Sequence, residues 1–393
     1  MTVWDGLVGQ RHVVGSLQRA AGGQGMTQSW LFTGPPGSGR SNAAIAFAAA
    51  LQCPDRGCGT CHECHTVLAG SHADVAVIRT EKLSIGVDEV RELVRRSALA
   101  PAGGRWQILI VEDADRLTEQ ANNALLKAIE EPNGHTVWML CAPTVEDLLP
   151  TIRSRCRLVT LSTPTTDEVA GFLVRVDDVN ASLADYAARA SQGHIGRARA
   201  LARDEATRNR RREVVAIPAM LVSPAGRSGL GACMRAATQL VEVSKAEADA
   251  ITQELDAREK ADLDAAYGVV ERGRRPREYA PALRRLEEGQ RTRAKRRQLD
   301  VIDRGLMDLV SVYRDAIAVA AGVPTRLVNE EIRAEVESLA RVATPEANLV
   351  RIDAIFAARE QMLEFNVPPA LALESLMVAL RGTGEPSERG VRA

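Results

Sequence analysis

At 393 residues the chain is too long for one ordinary core, which predicts two or three domains. A formal net charge of -1 excludes a global field that gathers nucleic acid, so any such contact needs a local patch or a partner. No apolar run approaches the roughly 20 residues of a membrane-spanning helix, and the opening MTVWDG lacks the basic and apolar regions of a signal peptide, so a cytoplasmic chain without membrane contact is expected.

In chain order, SWLFTG (Ser29 to Gly34) reads as a strand running into a glycine loop, and SNAAIAFAAALQC (Ser41 to Cys53) as the helix that follows. ADVAVIR (Ala73 to Arg79) is a second strand and GVDEVRELVRRSAL (Gly86 to Leu99) a helix. WQILIVEDAD (Trp106 to Asp115) is a buried central strand, TEQANNALLKAIEEP a helix stopped by Pro132, and HTVWMLCAP (His135 to Pro143) another strand. Alternating strands and helices predict an α/β fold with a parallel sheet flanked by helices. Beyond Pro164 the strand signal disappears. TTDEVAGFLVRV and SLADYAARASQGHIGRARALA form a small helical unit, and from about 208 to 380 nearly everything is helical, broken at SPAGRSG and RGRRPREYAP. The last helix repeats Leu373, Leu376, Met377 and Leu380 at helical spacing, and the polar tail after it reads as disordered.

The loop LFTGPPGSGRS keeps Gly34, Gly37, Gly39 and Ser41 of the phosphate-binding pattern G-x-x-x-x-G-K-[ST], but Arg40 stands where the pattern has lysine. Backbone N–H groups at such a turn can still face phosphate, whereas a forked guanidinium does not replace a compact ammonium. The apolar strand that should end in Asp-Glu ends in Glu112-Asp113, the two acids reversed. Each carboxylate is thereby displaced by about one methylene, and an error near 1 Å costs on the order of a hundredfold in rate. Little or no ATP turnover, and weak or absent binding of ATP or ADP with Mg²⁺, are expected of this chain alone.

Four of the seven cysteines, Cys53, Cys58, Cys61 and Cys64, crowd into CPDRGCGTCHEC. The spacing suits a closed tetrahedral Zn²⁺ site of structural type. His62 and His65 could each replace one thiolate, although an all-cysteine shell is the simpler reading.

The ordered set VGQRHVVGSLQRAA, LFTGPPGSGRS, the cysteine insertion, SIGVDEVREL, NNALLKAIEEP, LLPTIRSRCRLVTL and NVPPALALESLMVAL resembles the bacterial clamp-loader subunits of the AAA+ ATPase class, within them the delta-prime branch of DNA polymerase III. The resemblance is strong over residues 1 to about 200 and weaker at the last helix. It implies an α/β AAA+ P-loop domain at 1–163 with its zinc module at 53–64, a helical lid at 164–207, an all-α collar for oligomerisation at 208–382 and a disordered tail at 383–393. It also implies partners: gamma/tau and delta subunits directly, the sliding clamp indirectly, and primed DNA through the assembled complex.

By the same resemblance Arg155, between Ser154 and Cys156 in the SRC motif, becomes an arginine finger acting in trans on a neighbour's ATP, within a stator-like subunit. Where a motor subunit carries polar sensors, this chain has Cys141 to Pro143 and Gly196, with Arg197 one place from the second sensor position. A gamma/tau-type motor is the alternative, and a zinc-dependent DNA-binding protein a further one that leaves the SRC motif unexplained. Nucleotidyl transfer would belong to the holoenzyme, since no site for it is legible here.

Between Glu271 and Asp300 eleven Arg or Lys stand against five Asp or Glu. A solvated helix face is the bland reading of such a run. Contact with DNA phosphates or acidic partners is the other. Asn123 and Lys127 on the NNALLK helix could likewise face DNA or serve within the domain.

Overall fold

The computed structural model describes residues 2–79, 84–222, 230–267 and 276–381. The expected tail at 383–393, the break at SPAGRSG and the first residues of the basic stretch lie outside them. Two compact units divide after Arg203: Met1–Arg203 and Asp204–Ala393.

The first unit is built on five parallel strands: β1 (Ser29–Thr33), β2 (Val75–Ile78), β3 (Gln107–Val111), β4 (Thr136–Ala142) and β5 (Arg157–Thr160), in the order β2-β3-β4-β1-β5. Strands β1, β3 and β4 are buried along their whole length, which explains their unbroken apolar runs. Edge strands β2 and β5 are partly exposed. Strand β5 is short and half polar, so its run RLVT carries no strand signal of its own; pairing with β1 makes it one.

The pleat sends Trp30, Phe32, Ile108, Ile110 and Met139 to one face, where they pack under α1 (Arg11–Ala21) and α2 (Arg40–Gln52). Leu31, Leu109, Val111, Trp138 and Leu140 point the other way, onto α4 (Val87–Ser97) and α5 (Glu119–Glu130). Alanines crowd α2 because it is buried nearly all round. A short α3 (His62–Leu68) grows out of the cysteine loop, capped by the Cys61 sulfur. The four-residue α6 (Pro150–Arg153) precedes β5.

Helices α7 (Thr166–Asp177), α8 (Ala181–Ser191) and α9 (Ile195–Arg203) enclose a separate apolar cluster that includes Val169, Phe172, Leu173 and Leu201. Thr165 opens α7 with a reciprocal cap: its hydroxyl accepts from Glu168 N at 3.3 Å and its N–H donates to the Glu168 carboxylate at 2.9 Å. Asp177 is buried at the other end of α7 and receives Arg199 and Arg203 at 2.8 and 2.6 Å.

The second unit is helical among its described residues: α10 (Glu205–Val222), α11 (Leu230–Ala266), α12 (Tyr279–Ala320), α13 (Arg333–Val342), α14 (Pro345–Leu363) and α15 (Pro369–Arg381). Its core gathers Leu240, Ile302, Leu306, Leu309, Tyr313 and the expected stripe Leu373, Leu376, Met377, Leu380. A buried polar network threads it. Arg211 donates to Asp308 at 3.2 Å, to Glu331 at 2.6 Å and to Asn329, while Asp315 accepts from the backbone of Val328 and Asn329. Helices α11 and α12, about 56 and 63 Å long at 1.5 Å per residue, pack side by side. Among the described residues no helix is long and apolar enough to cross a membrane.

Candidate functional site

The phosphate-type loop leaves the C-terminal end of β1 and enters α2. Gly39 caps α2 in the left-handed region at φ 93°, and Gly37 sits at φ 83°. At Gly37 a side chain is excluded twice over, because a Cβ there would also overlap the His194 ring. His194, from the turn between α8 and α9, therefore lies directly on the loop, and its Nδ1 accepts from Arg197 N at 3.2 Å. Arg40 folds back: its Nη1 donates to the Gly34 carbonyl at 2.7 Å. The residue that departs from the lysine pattern is thus a brace within the loop's own backbone.

The acids stand past the end of β3. Glu112 is buried and receives two parallel hydrogen bonds from Arg79, Nε at 2.7 Å and Nη2 at 2.9 Å. That pairing takes both carboxylate oxygens. Asp113 precedes a short 3-10 turn, Ala114–Arg116. Beside it, burial and then the Asp113 charge push the Asp115 carboxyl up, against the pull of Arg116 and Arg40. Burial, and next the Glu112 charge, push the Cys141 thiol at the end of β4 upward and keep it neutral. Gly34 to Ser41, Glu112, Asp113 and Cys141 all gather at the C-terminal edge of the sheet, where parallel α/β folds hold ligands.

Arg155 is elsewhere. Strand β5 starts at Arg157, which is in register with Trp30 near the start of β1. The Ser154-Arg155-Cys156 turn therefore lies at the N-terminal edge of the sheet, about 10–13 Å of strand from the loop edge at 3.3 Å per residue. The half-exposed guanidinium donates to the Thr151 carbonyl at 2.8 Å and pairs with Glu130 at 2.8 Å. Ser154 Oγ donates to the same carbonyl at 3.1 Å. Burial pushes the Cys156 thiol up to about 12, leaving it an inert neighbour.

The cysteines form a third locus. The four sulfurs of Cys53, Cys58, Cys61 and Cys64 lie within 4.8 Å of one another, and Cys53 is 3.6 Å from both Cys58 and Cys61. Zn–S bonds of about 2.3 Å in a tetrahedron require sulfurs about 3.8 Å apart, so the spacing fits. Backbone N–H groups of Cys58, Gly59, Thr60, Cys61 and Cys64 donate to these sulfurs at 3.4–3.5 Å, which favours thiolates. The Thr60 hydroxyl and N–H, followed by the Cys61 N–H, lower the Cys58 thiol to about 6. Burial raises Cys61 and Cys64, a conflict that a bound dication would relieve. His62 and His65 are outside the cluster.

Sequence patterns singled out the loop, the acids, the SRC turn and the cysteines. They did not single out Arg79, Glu130 or His194. Their contacts join residues far apart in the chain, and an exposed arginine or glutamate in an unremarkable setting carries no motif.

Residues 9–165 match the family model described as "DNA polymerase III, delta subunit". The chain is 40% identical over 135 residues to the DNA polymerase III subunit delta' of Pseudomonas aeruginosa, covering 33% of this chain and 41% of that one. It is 36% identical over 172 residues to the Escherichia coli subunit delta', covering 42% and 52%. Over residues 9–165, then, the chain is similar to clamp-loader subunits of DNA polymerase III. The chain also resembles DNA polymerase III subunit gamma/tau of Mycobacterium tuberculosis, at 35% identity over 154 residues, 38% of this chain and 27% of that one. The matched stretches thus span between about a quarter and a half of these relatives. Delta' and gamma/tau subunits are matched at similar identity, so the distinction between them rests on the loop and its acids.

Proposed function

We propose that this chain is the delta-prime-type subunit of a bacterial replicative clamp loader, a stator-like member that lends Arg155 to ATP bound on a neighbouring gamma/tau-type subunit. The observation that carries this reading is the separation of its two chemistries. The phosphate-type loop leaves one edge of the sheet and Arg155 the other, so the guanidinium is remote from its own loop; half-exposed, it rests on the Thr151 carbonyl and Glu130, contacts it would exchange for a neighbour's phosphate. Delivered in trans, it would neutralise the charge that spreads over a transferred phosphoryl, worth about 10³ to 10⁵ in rate.

The chain's own loop supports the same division. Arg40 is spent on the Gly34 carbonyl and Glu112 on Arg79, so neither is aimed at a γ-phosphate or an attacking water. These two engagements speak against the gamma/tau-type alternative. The lid and collar assignments, 164–207 and 208–382, belong to this reading. On α14, Leu349, Phe356 and Leu363 stand exposed at heptad spacing, and on α15 Leu371 and Val378 are exposed at the same spacing. A collar joined to gamma/tau and delta subunits would bury them. Cys53, Cys58, Cys61 and Cys64 would hold a structural Zn²⁺ that ties the loop to α3 and leaves no open coordination position.

Co-expression of the chain with candidate gamma/tau and delta subunits, followed by purification and metal analysis, tests this reading. A stable complex containing about one zinc for this chain's cysteine cluster, lost with Cys64→Ala, is expected. A chain that never co-purifies with those subunits would contradict the assignment.

A further inference from the structure

Two side chains beside the clustered cysteines reach the same stretch of chain. Gln52 ends α2 next to Cys53; its Oε1 accepts from Arg105 N at 3.0 Å and Trp106 N at 3.2 Å, and its Nε2 donates to the Trp106 carbonyl at 2.6 Å. Glu63, between Cys61 and Cys64 on α3, takes a longer route. Its carboxylate meets His72 Nε2 at 2.6 Å, His72 Nδ1 accepts from Asp74 N at 3.0 Å, and the Asp74 carboxylate accepts from Ala102, Gly103 and Gly104 N. Because Nδ1 is the acceptor, Nε2 carries the proton and donates to Glu63, which fixes the orientation of the ring. The two arms close on each other at Gly104, where a Cβ would fall 2.8 Å from both the Asp74 carboxylate and the Gln52 amide.

The arms differ in what holds their bases. Gln52 is the last residue of a 13-residue helix packed into the core beneath the sheet, so its position does not depend on the cysteines. Glu63 stands in the first turn of α3, which has seven residues. A helix so short does not persist by itself. Its N-cap is the Cys61 sulfur, which accepts from Cys64 N at 3.4 Å, so its first turn is built on two members of the cluster. Opening the cluster takes that cap away and leaves Glu63 without a fixed base.

We propose that Glu63, His72 and Asp74 form a relay by which metal occupancy of the cysteine cluster orders residues 102–104, while Gln52 holds Arg105 and Trp106 in either state. Ala102 and Gly103 are exposed, and the stretch leads into β3 at the N-terminal edge of the sheet, the edge that also carries the Arg155 turn. The metal state is thereby expressed on an outer surface of the unit and not only around the sulfurs. This relay rests on the reading of the four cysteines as a Zn²⁺ site, but not on the trans role of Arg155.

The full chain is compared zinc-loaded and stripped with a chelator, with zinc content measured and hydrogen exchange read amide by amide. Removing the metal should speed exchange at residues 102–104 by about tenfold or more, the worth of a hydrogen bond to a charged acceptor, while β4 and the amides of Arg105 and Trp106 keep their protection. In Glu63→Ala, which leaves all four thiolates in place, that zinc-dependent difference should shrink to about threefold or less. Glu63→Gln keeps an acceptor for His72 Nε2 and should retain the difference. His72→Ala cuts the relay outside the cysteine loop and should reproduce Glu63→Ala. An unchanged difference in both alanine variants, or a loss of protection in β4 as large as that at 102–104, overturns the relay and leaves the metal site standing. A chain that takes up no zinc overturns both.

Discussion

Arg40 and Glu112 illustrate how one substitution differs from a dismantled site. Restoring lysine with Arg40→Lys would free the Gly34 carbonyl, but Glu112 would remain clamped by Arg79 at 2.7 and 2.9 Å. Phosphate release by the purified Arg40→Lys chain is therefore expected to stay at background; turnover at about 1 s⁻¹, the low end for competent enzymes, would contradict this account of the pocket. Glu130 gives a second expectation. Its pair with Arg155 is half exposed on both sides, and such pairs are worth about 1 kcal/mol or less, so Glu130→Gln should change finger-dependent turnover by no more than about fivefold. A loss as large as that of Arg155→Ala would mean that Glu130 does more than park the guanidinium. Arg40 and the reversed acids were legible in the sequence because a short motif fixes where each side chain should be. Arg79 and Glu130 were not, because which carboxylate an arginine reaches is decided by strand order, which no local pattern contains.

The elements that carry the site were legible where one physical signal dominated. The buried strands β1, β3 and β4 announced themselves as apolar runs, and α5 ended at Pro132 as its sequence required. Strand β5 and helix α3 were not legible: one is defined by its neighbour and the other by the sulfur cluster that caps it. The loop before β3 is another case. Asp74 is buried, and burial alone would raise its carboxyl, yet N–H groups of Ala102, Gly103 and Gly104 at 2.7, 3.1 and 2.6 Å hold it below the usual carboxylate range. A folded-state value below the unfolded one contributes stability that is present above about pH 4 and is lost as pH falls through the folded value. Asp74→Asn should therefore lower the thermal midpoint at pH 7, and the gap from wild type should close towards pH 3. A gap that widened in acid would show that the carboxylate is not the stapled species.

For the molecule as a whole, two compact units carry different kinds of order. The first holds the chemistry-bearing turns on both edges of one parallel sheet, and the second is a helical body with an internal ion network around Arg211 and exposed apolar side chains on α14 and α15. The helical character of the second unit was legible from its periodicity, but the Arg211 network was not, since its partners lie 97 to 120 residues away. The loop and Arg155 stand on opposite edges of the sheet, which is why the proposed use of Arg155 is on a neighbouring chain. The most direct test is ATP turnover, with primed DNA and clamp present, by a ring reconstituted with wild-type or Arg155→Ala chain. The account predicts a fall of about 10³-fold or more at the neighbouring site with nucleotide binding retained, and turnover equal to wild type would contradict it.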